Sequence, residues 1–215
     1  MDTQIIKEQI SNARRLVLWW LSALALSACT TTDTSRTPAP ARIELQDAVG
    51  FTIIEEARIS STVRTDYEEA LSLLERGQHE QGIEVLEAVA SAAPLVSAPR
   101  IDLGIAYHLA GDLEMAETNL LQALELNPEH PIVHNELGII YRKSGRFTDA
   151  RKSYQAALAV YPGYHFARRN LAVLCDLYLA DLKCALENYE AYMATVPDDD
   201  EATMWISDIR SRINQ

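Results

Sequence analysis

The sequence predicts an all-α protein, a stack of four helix hairpins closed by one further helix. Two observations carry that prediction. The stretch LGIAYHLAGDLEMAETNLLQALELNPEH, starting at Leu103, is followed 34 residues later by LGIIYRKSGRFTDARKSYQAALAVYPGY. At that one offset Gly104 meets Gly138, Tyr107 meets Tyr141, Gly111 meets Gly145, Ala116 meets Ala150, Ala123 meets Ala157 and Pro128 meets Pro162. The spacing also extends outward. Ala70, Gly77 and Pro94 keep it on the N-terminal side, and Ala180, Ala185, Tyr189 and Pro197 keep it on the C-terminal side, with one residue inserted.

The repeated residues each have a physical task. Gly104 and Gly138 let the second helix, at Ala116 or Ala150, approach closely, and Gly111 and Gly145 end the first helix where a left-handed conformation is needed. Pro128 and Pro162 stop the second helix, because proline has no N–H to donate. One hairpin cannot bury its apolar face alone, so neighbours must stack.

In chain order, Arg14 and Arg15 precede the apolar run LVLWWLSALAL and then Ser27, Ala28 and Cys29. A positive flank, a short apolar run and small residues predict an export signal over residues 1–28, too short to span a membrane as a mature helix. Leu26-Ser27-Ala28-Cys29 resembles the bacterial lipobox. That resemblance implies lipidation of Cys29, which becomes the new N-terminus, and Thr30 implies sorting to the outer membrane. Several acyl chains anchor stably where one would not. Residues 29–41, rich in Thr and Pro, predict a disordered tether reaching at most ~40 Å. Residues 42–62 form a lead-in. Its β-favouring run Phe51-Thr52-Ile53-Ile54 is expected to stand alone, as a strap on the first helix, with an edge open to a partner or a second copy as the alternative.

The hairpins follow at 63–96, 97–130, 131–164 and 165–199. The first is degenerate, with Gly82 where the others have Ala, and terminal repeats are often atypical. In the fourth the extra residue falls around DLYLAD, lengthening the first helix or its turn. Residues 200–215 open with acidic residues, and Ala202, Trp205, Ile206, Ile209 and Ile213 recur at helical spacing, which predicts a capping helix.

The pattern L-G-x-x-Y-x-x-x-G-x-x-x-x-A with a closing Pro resembles the tetratricopeptide repeat, and the whole chain resembles tetratricopeptide lipoproteins of Gram-negative bacteria. The resemblance implies a right-handed superhelix whose first helices line a concave face. It also implies a non-catalytic scaffold, tethered to the outer membrane and facing the periplasm, that recruits protein or peptide partners of a cell-envelope machine such as pilus-biogenesis or peptidoglycan-enzyme assemblies. A structural, self-assembling lipoprotein with its groove filled by its own lead-in is the alternative.

On that face the residues at equivalent positions are Tyr67 and Leu71, then Ile101, Ile105 and His108, then Asn135, Ile139 and Arg142, then Arg169 and Val173. Helical periodicity places each group on one stripe. Asn135 and Asn170 could bond a bound peptide backbone, and Arg142 and Arg169 could hold a carboxylate. The groove is thus expected to be apolar in its first half and polar in its second.

Composition and motifs exclude other classes. A net charge of −12 lacks the basic face a nucleic-acid binder needs. No phosphate-binding glycine loop, Cys-x-x-Cys pair or nucleophile elbow occurs, so no cofactor and no enzymatic activity are expected. Cys175 and Cys184 fall at a similar level on facing helices and read either as a disulfide or as two buried thiols. His130 and His134 have a metal-ligand spacing, but Pro131 puts His130 ahead of the helix, so no metal site is expected.

Overall fold

Turn residues punctuate the chain where the repeat spacing demands them. The protein, seen in a computed structural model, is described over residues 42–46, 50–55 and 59–214. The export signal, the lipobox with Cys29, and the tether lie outside the described residues.

The hairpins are α1 (Ser61–Glu75) with α2 (His79–Ala92), α3 (Ala98–Ala110) with α4 (Leu113–Leu126), α5 (Pro131–Lys143) with α6 (Phe147–Val160), and α7 (His165–Leu177) with α8 (Leu182–Met193). A last helix, α9 (Asp200–Ile213), packs on α8. Each second helix packs on the next first helix, and α5 also touches α3 and α7. The first helices therefore form one continuous face.

Local chemistry sets the boundaries. Ser60, Asp112, Asp181 and Asp199 cap the N-termini of α1, α4, α8 and α9 by accepting a backbone N–H three residues on, which satisfies donors a helix start leaves free. His130 does the same for α5, its Nδ1 accepting from the N–H of Val133 at 3.4 Å. Gly77, Gly111 and Gly145 take positive φ of 76°, 88° and 74° in the hairpin turns. The close approach at Gly104 involves the Ala116 backbone, as expected, with its carbonyl 3.2 Å from where a Cβ would stand, but a side chain comes closer still. A Cβ there would lie 2.5 Å from Leu120, and one at Gly138 would lie 2.4 Å from the Tyr154 ring. The crowding comes from the residue one turn beyond Ala116 or Ala150, because those alanines are themselves small enough to leave room.

The core runs the length of the stack. Leu86, Leu103, Leu120, Val133, Ile140, Tyr154, Leu174, Tyr189 and Ile209 are almost wholly buried, and burying each such side chain stabilises the fold by about 1.5–3 kcal/mol. The inserted residue of the fourth hairpin sits in the turn. Helix α7 has 13 residues, as do α3 and α5, and the chain closes through Ala180 at φ 52°, the one non-glycine with positive φ among the described residues.

The lead-in corrects the sequence expectation. Phe51-Thr52-Ile53-Ile54 is not alone: β2 (Gly50–Ile54) pairs antiparallel with β1 (Arg42–Gln46), with Ile43 opposite Ile53 and Leu45 opposite Phe51. The apolar alternation of Ile43 and Leu45 supplies the partner that reading β2 by itself missed. The described contacts of this hairpin are not with the first helix either. Phe51 meets Tyr161 and Tyr164 edge-on at 5.3 and 5.5 Å, between α6 and α7. Glu55 accepts hydrogen bonds from the N–H of Ser97, at 2.9 Å, and from its hydroxyl, at the start of α3. The strap runs along the edge where one hairpin passes to the next.

Candidate functional site

The face built by α1, α3, α5 and α7 carries the predicted stripe, but its members differ in access. Tyr67, Leu71, Ile139, Asn170 and Val173 are half-buried. Ile101, Ile105, His108 and Asn135 are buried, at 7%, 8%, 4% and 1% exposure. Close packing of the first helices takes those four into the interior, so the accessible row is Leu71, Ile139 and Val173 with the Tyr67 ring at one end.

Between adjacent first helices a recurring polar contact crosses the face. Tyr67 donates from its hydroxyl to Asp102, and Asn170 donates to the Asn135 side-chain carbonyl at 2.9 Å. These contacts join one residue to another 35 positions on. At the interface between them the corresponding pair is Ile101 and Glu136, and an isoleucine has no proton to give. Glu136 receives only its neighbour Asn135, at 3.1 Å to Oε1. Its Oε2 is buried with no hydrogen-bond partner among the described residues. Burial, opposed in part by the Asn135 hydrogen bond, pushes this carboxyl up to about 7, because removing water disfavours the charged form. The sequence reading passed over Glu136, although Glu68, Asp102 and Glu136 recur at the repeat spacing and could have flagged it.

The two arginines are not a free clamp. Arg142 lies over the Tyr178 ring at 5.7 Å, and its Nη1 donates to the Tyr178 hydroxyl at 3.4 Å. Arg169 lies over the Trp205 ring of α9 at 5.3 Å, with Glu201 at 3.9 Å. The Nε of each is buried. Each guanidinium stacks on an aromatic face, a favourable use of its flat charge, and so is held by the protein before any ligand arrives. Asp176, on the same stripe, is held by Arg212 of α9 at 2.8 Å. The cap thereby closes the polar end of the face.

Cys175 and Cys184 are joined in a disulfide, with Cα atoms 5.8 Å apart. The Arg151 guanidinium reaches over to Asp181 in the same turn and to the Cys175 sulfur at 3.7 Å. His130 is buried and its pKa is lowered to about 3, by desolvation first and by His134 second. His134 turns its Nε2 to the Pro128 carbonyl at 2.8 Å. Both imidazoles serve the linker before α5, each toward its own backbone group. No helix among the described residues is long and apolar enough to cross a membrane.

Solved structures share this arrangement. MamA from Desulfovibrio magneticus RS-1 superposes with a TM-score of 0.65 at 20% identity, covering 73% of this chain and 88% of that one. The pilF protein of Pseudomonas aeruginosa gives 0.64 at 18% identity, covering 71% and 69%. The first TPR of Spaghetti (RPAP3), bound to the HSP90 peptide SRMEEVD, gives 0.52 at 19%, covering 55% and 96%. At these identities the likeness is one of fold. The tetratricopeptide repeat family itself matches residues 67–131, 110–165 and 135–175, which together cover just over half of the chain, and with four stacked hairpins on that spacing the chain belongs to the tetratricopeptide repeat family.

Proposed function

We propose that this protein is a non-catalytic scaffold, lipid-anchored at the outer membrane through Cys29, which holds an extended segment of a periplasmic or envelope protein against its first-helix face. The observation that carries the binding reading is the accessible row Leu71, Ile139 and Val173, beside the hydrogen-bonded Asn135 and Asn170. Apolar side chains in register with the repeat, next to the partly accessible Asn170 amide, suit an extended chain. A structure of the same fold holds a peptide, that of Spaghetti with SRMEEVD, which supports binding of this general kind. The anchor reading rests on Arg14, Arg15, the apolar run and Leu26-Ser27-Ala28-Cys29.

The arginines enter this reading in a different role from a clamp. Stacked on Tyr178 and Trp205, with Arg142 Nη1 on the Tyr178 hydroxyl and Arg169 Nη2 near Glu201, they bound the polar end of the face rather than grip a carboxylate together. A photo-crosslinking residue placed at Ile139 or Val173 in living cells is expected to capture a partner, whereas the same residue at Gln155, exposed on α6, is not. Equal capture from all three positions, or none from Ile139 and Val173, would remove the face as the binding surface.

A further inference from the structure

The turn of the fourth hairpin holds two neighbouring apolar side chains out in solvent. Leu177 is 69% exposed, the highest value for a large apolar residue among the described residues, and Tyr178 is 42% exposed. The turn is fixed from several sides. The Cys175–Cys184 bridge closes its base, Arg151 holds Asp181, Phe147 packs on the Tyr178 ring at 5.0 Å, and Arg142 bonds the Tyr178 hydroxyl. An anchor held rigid before binding loses little freedom when a partner arrives.

The turn of the third hairpin, which packs against this one, is opposite in charge to the rest of the molecule. Between Tyr141 and Lys152 stand five cations, Arg142, Lys143, Arg146, Arg151 and Lys152, against one acid, Asp149. The matching stretches of the other three hairpins, 73–84, 107–118 and 176–187, hold three acids each and at most one cation. Arg142, Arg146 and Arg151 are engaged within the protein. Lys143, Lys152 and Lys183 are exposed and have no ion pair among the described residues. Each lies within two residues of a group that touches the turn: Lys143 follows Arg142, Lys152 follows Arg151, and Lys183 comes two after Asp181.

We infer that this turn edge is a second docking surface, adjoining the apolar row beyond Val173, and that it takes an acidic amphipathic segment of a partner protein. The apolar side of the segment covers Leu177 and Tyr178, and its carboxylates meet Lys143, Lys152 and Lys183. A bilayer of anionic lipid is the less favoured occupant, because an extended surface meets the whole −12 charge. A short segment senses only what lies within the Debye length of about 8 Å.

The test uses the full mature chain and a short fluorescein-labelled peptide with Leu on one helical face and Glu on the other, followed by anisotropy. Binding is expected to weaken as salt is raised and to be lost when the Glu residues become Gln. Leu177→Ser is expected to weaken it about tenfold, as is Lys143→Glu combined with Lys183→Glu. Leu95→Ser, also exposed and on another hairpin (55% exposed), should leave it unchanged. Equal affinity for the Gln peptide, or no effect of Leu177→Ser, overturns the proposal. Wild-type protein that instead pellets with phosphatidylglycerol vesicles through the same lysines, or that sediments as a dimer lost in Leu177→Ser, would assign the surface to membrane or to a second copy and overturn it equally.

Discussion

Glu136 shows how a single side chain departs from the repeat it belongs to. The first hairpin places a phenol, Tyr67, opposite Asp102 of the second, whereas the second places Ile101 opposite the equivalent Glu136 of the third. With its folded-state pKa raised to about 7 from an ordinary 4.5, the carboxyl sets a pH dependence whose sign is fixed. Below about 4.5 it is protonated folded or unfolded and contributes nothing. Between there and about 7 only the unfolded chain is ionised, so stability falls as pH rises. Above that the deficit is constant, on the order of 3 kcal/mol. Urea melts should therefore show Glu136→Gln gaining stability relative to the wild type as pH rises from 5 to 7, because the wild-type deficit grows over that interval. A difference between the two that stays constant over that interval would place the titration elsewhere. His130 acts over an overlapping window with the opposite sign. Its lowered pKa means that stability is lost as pH falls below the ordinary imidazole value. Neither effect was legible in the sequence, since burial of a charged residue is set by what faces it, and the facing residue lies on another helix.

At the scale of the element, the helices themselves were plain to read. Gly, Pro and apolar periodicity are local signals, and the helix boundaries follow them within a residue or two. The lead-in was misread because a strand acquires meaning only with its partner, and Arg42–Gln46 carries a weaker signal than Phe51–Ile54. The groove stripe was placed on the right helices but with the wrong access, since the depth of Ile101, Ile105 and Asn135 depends on how closely the first helices pack. The turn of the fourth hairpin combines both lessons. Its alanine adopts a backbone conformation that the other three turns give to glycine, and an L side chain there costs about 1 kcal/mol. The Cys175–Cys184 bridge closes a loop of about ten residues, worth roughly 2.5–3 kcal/mol in the chain-entropy account. Replacing both cysteines with Ser is expected to lower Tm, and adding Ala180→Gly to recover part of the loss. If the double Ser variant melts with the wild type, the bridge contributes nothing to the stack.

For the whole molecule, acidity and anchoring work together in the proposed setting. In that setting a chain of net charge −12 would be repelled by anionic lipid and would stand off from it, leaving the first-helix face and the turn edge to the proposed partners. The lipid reading has a direct check. Mass spectrometry of the mature protein should find an acylated N-terminus at Cys29, and Cys29→Ser should leave the chain without acyl groups and either uncleaved or released from the membrane fraction. An unmodified N-terminus at another position would end that reading. The strap then acquires a mechanical meaning. Phe51 is seated between the third and fourth hairpins and Glu55 on the start of the second. A pull arriving along the chain from residue 42 is thus handed to the middle and far end of the stack before it reaches α1. The first hairpin, the most degenerate of the four, is spared that force, and the stack resists being unzipped from the end that would be tied down.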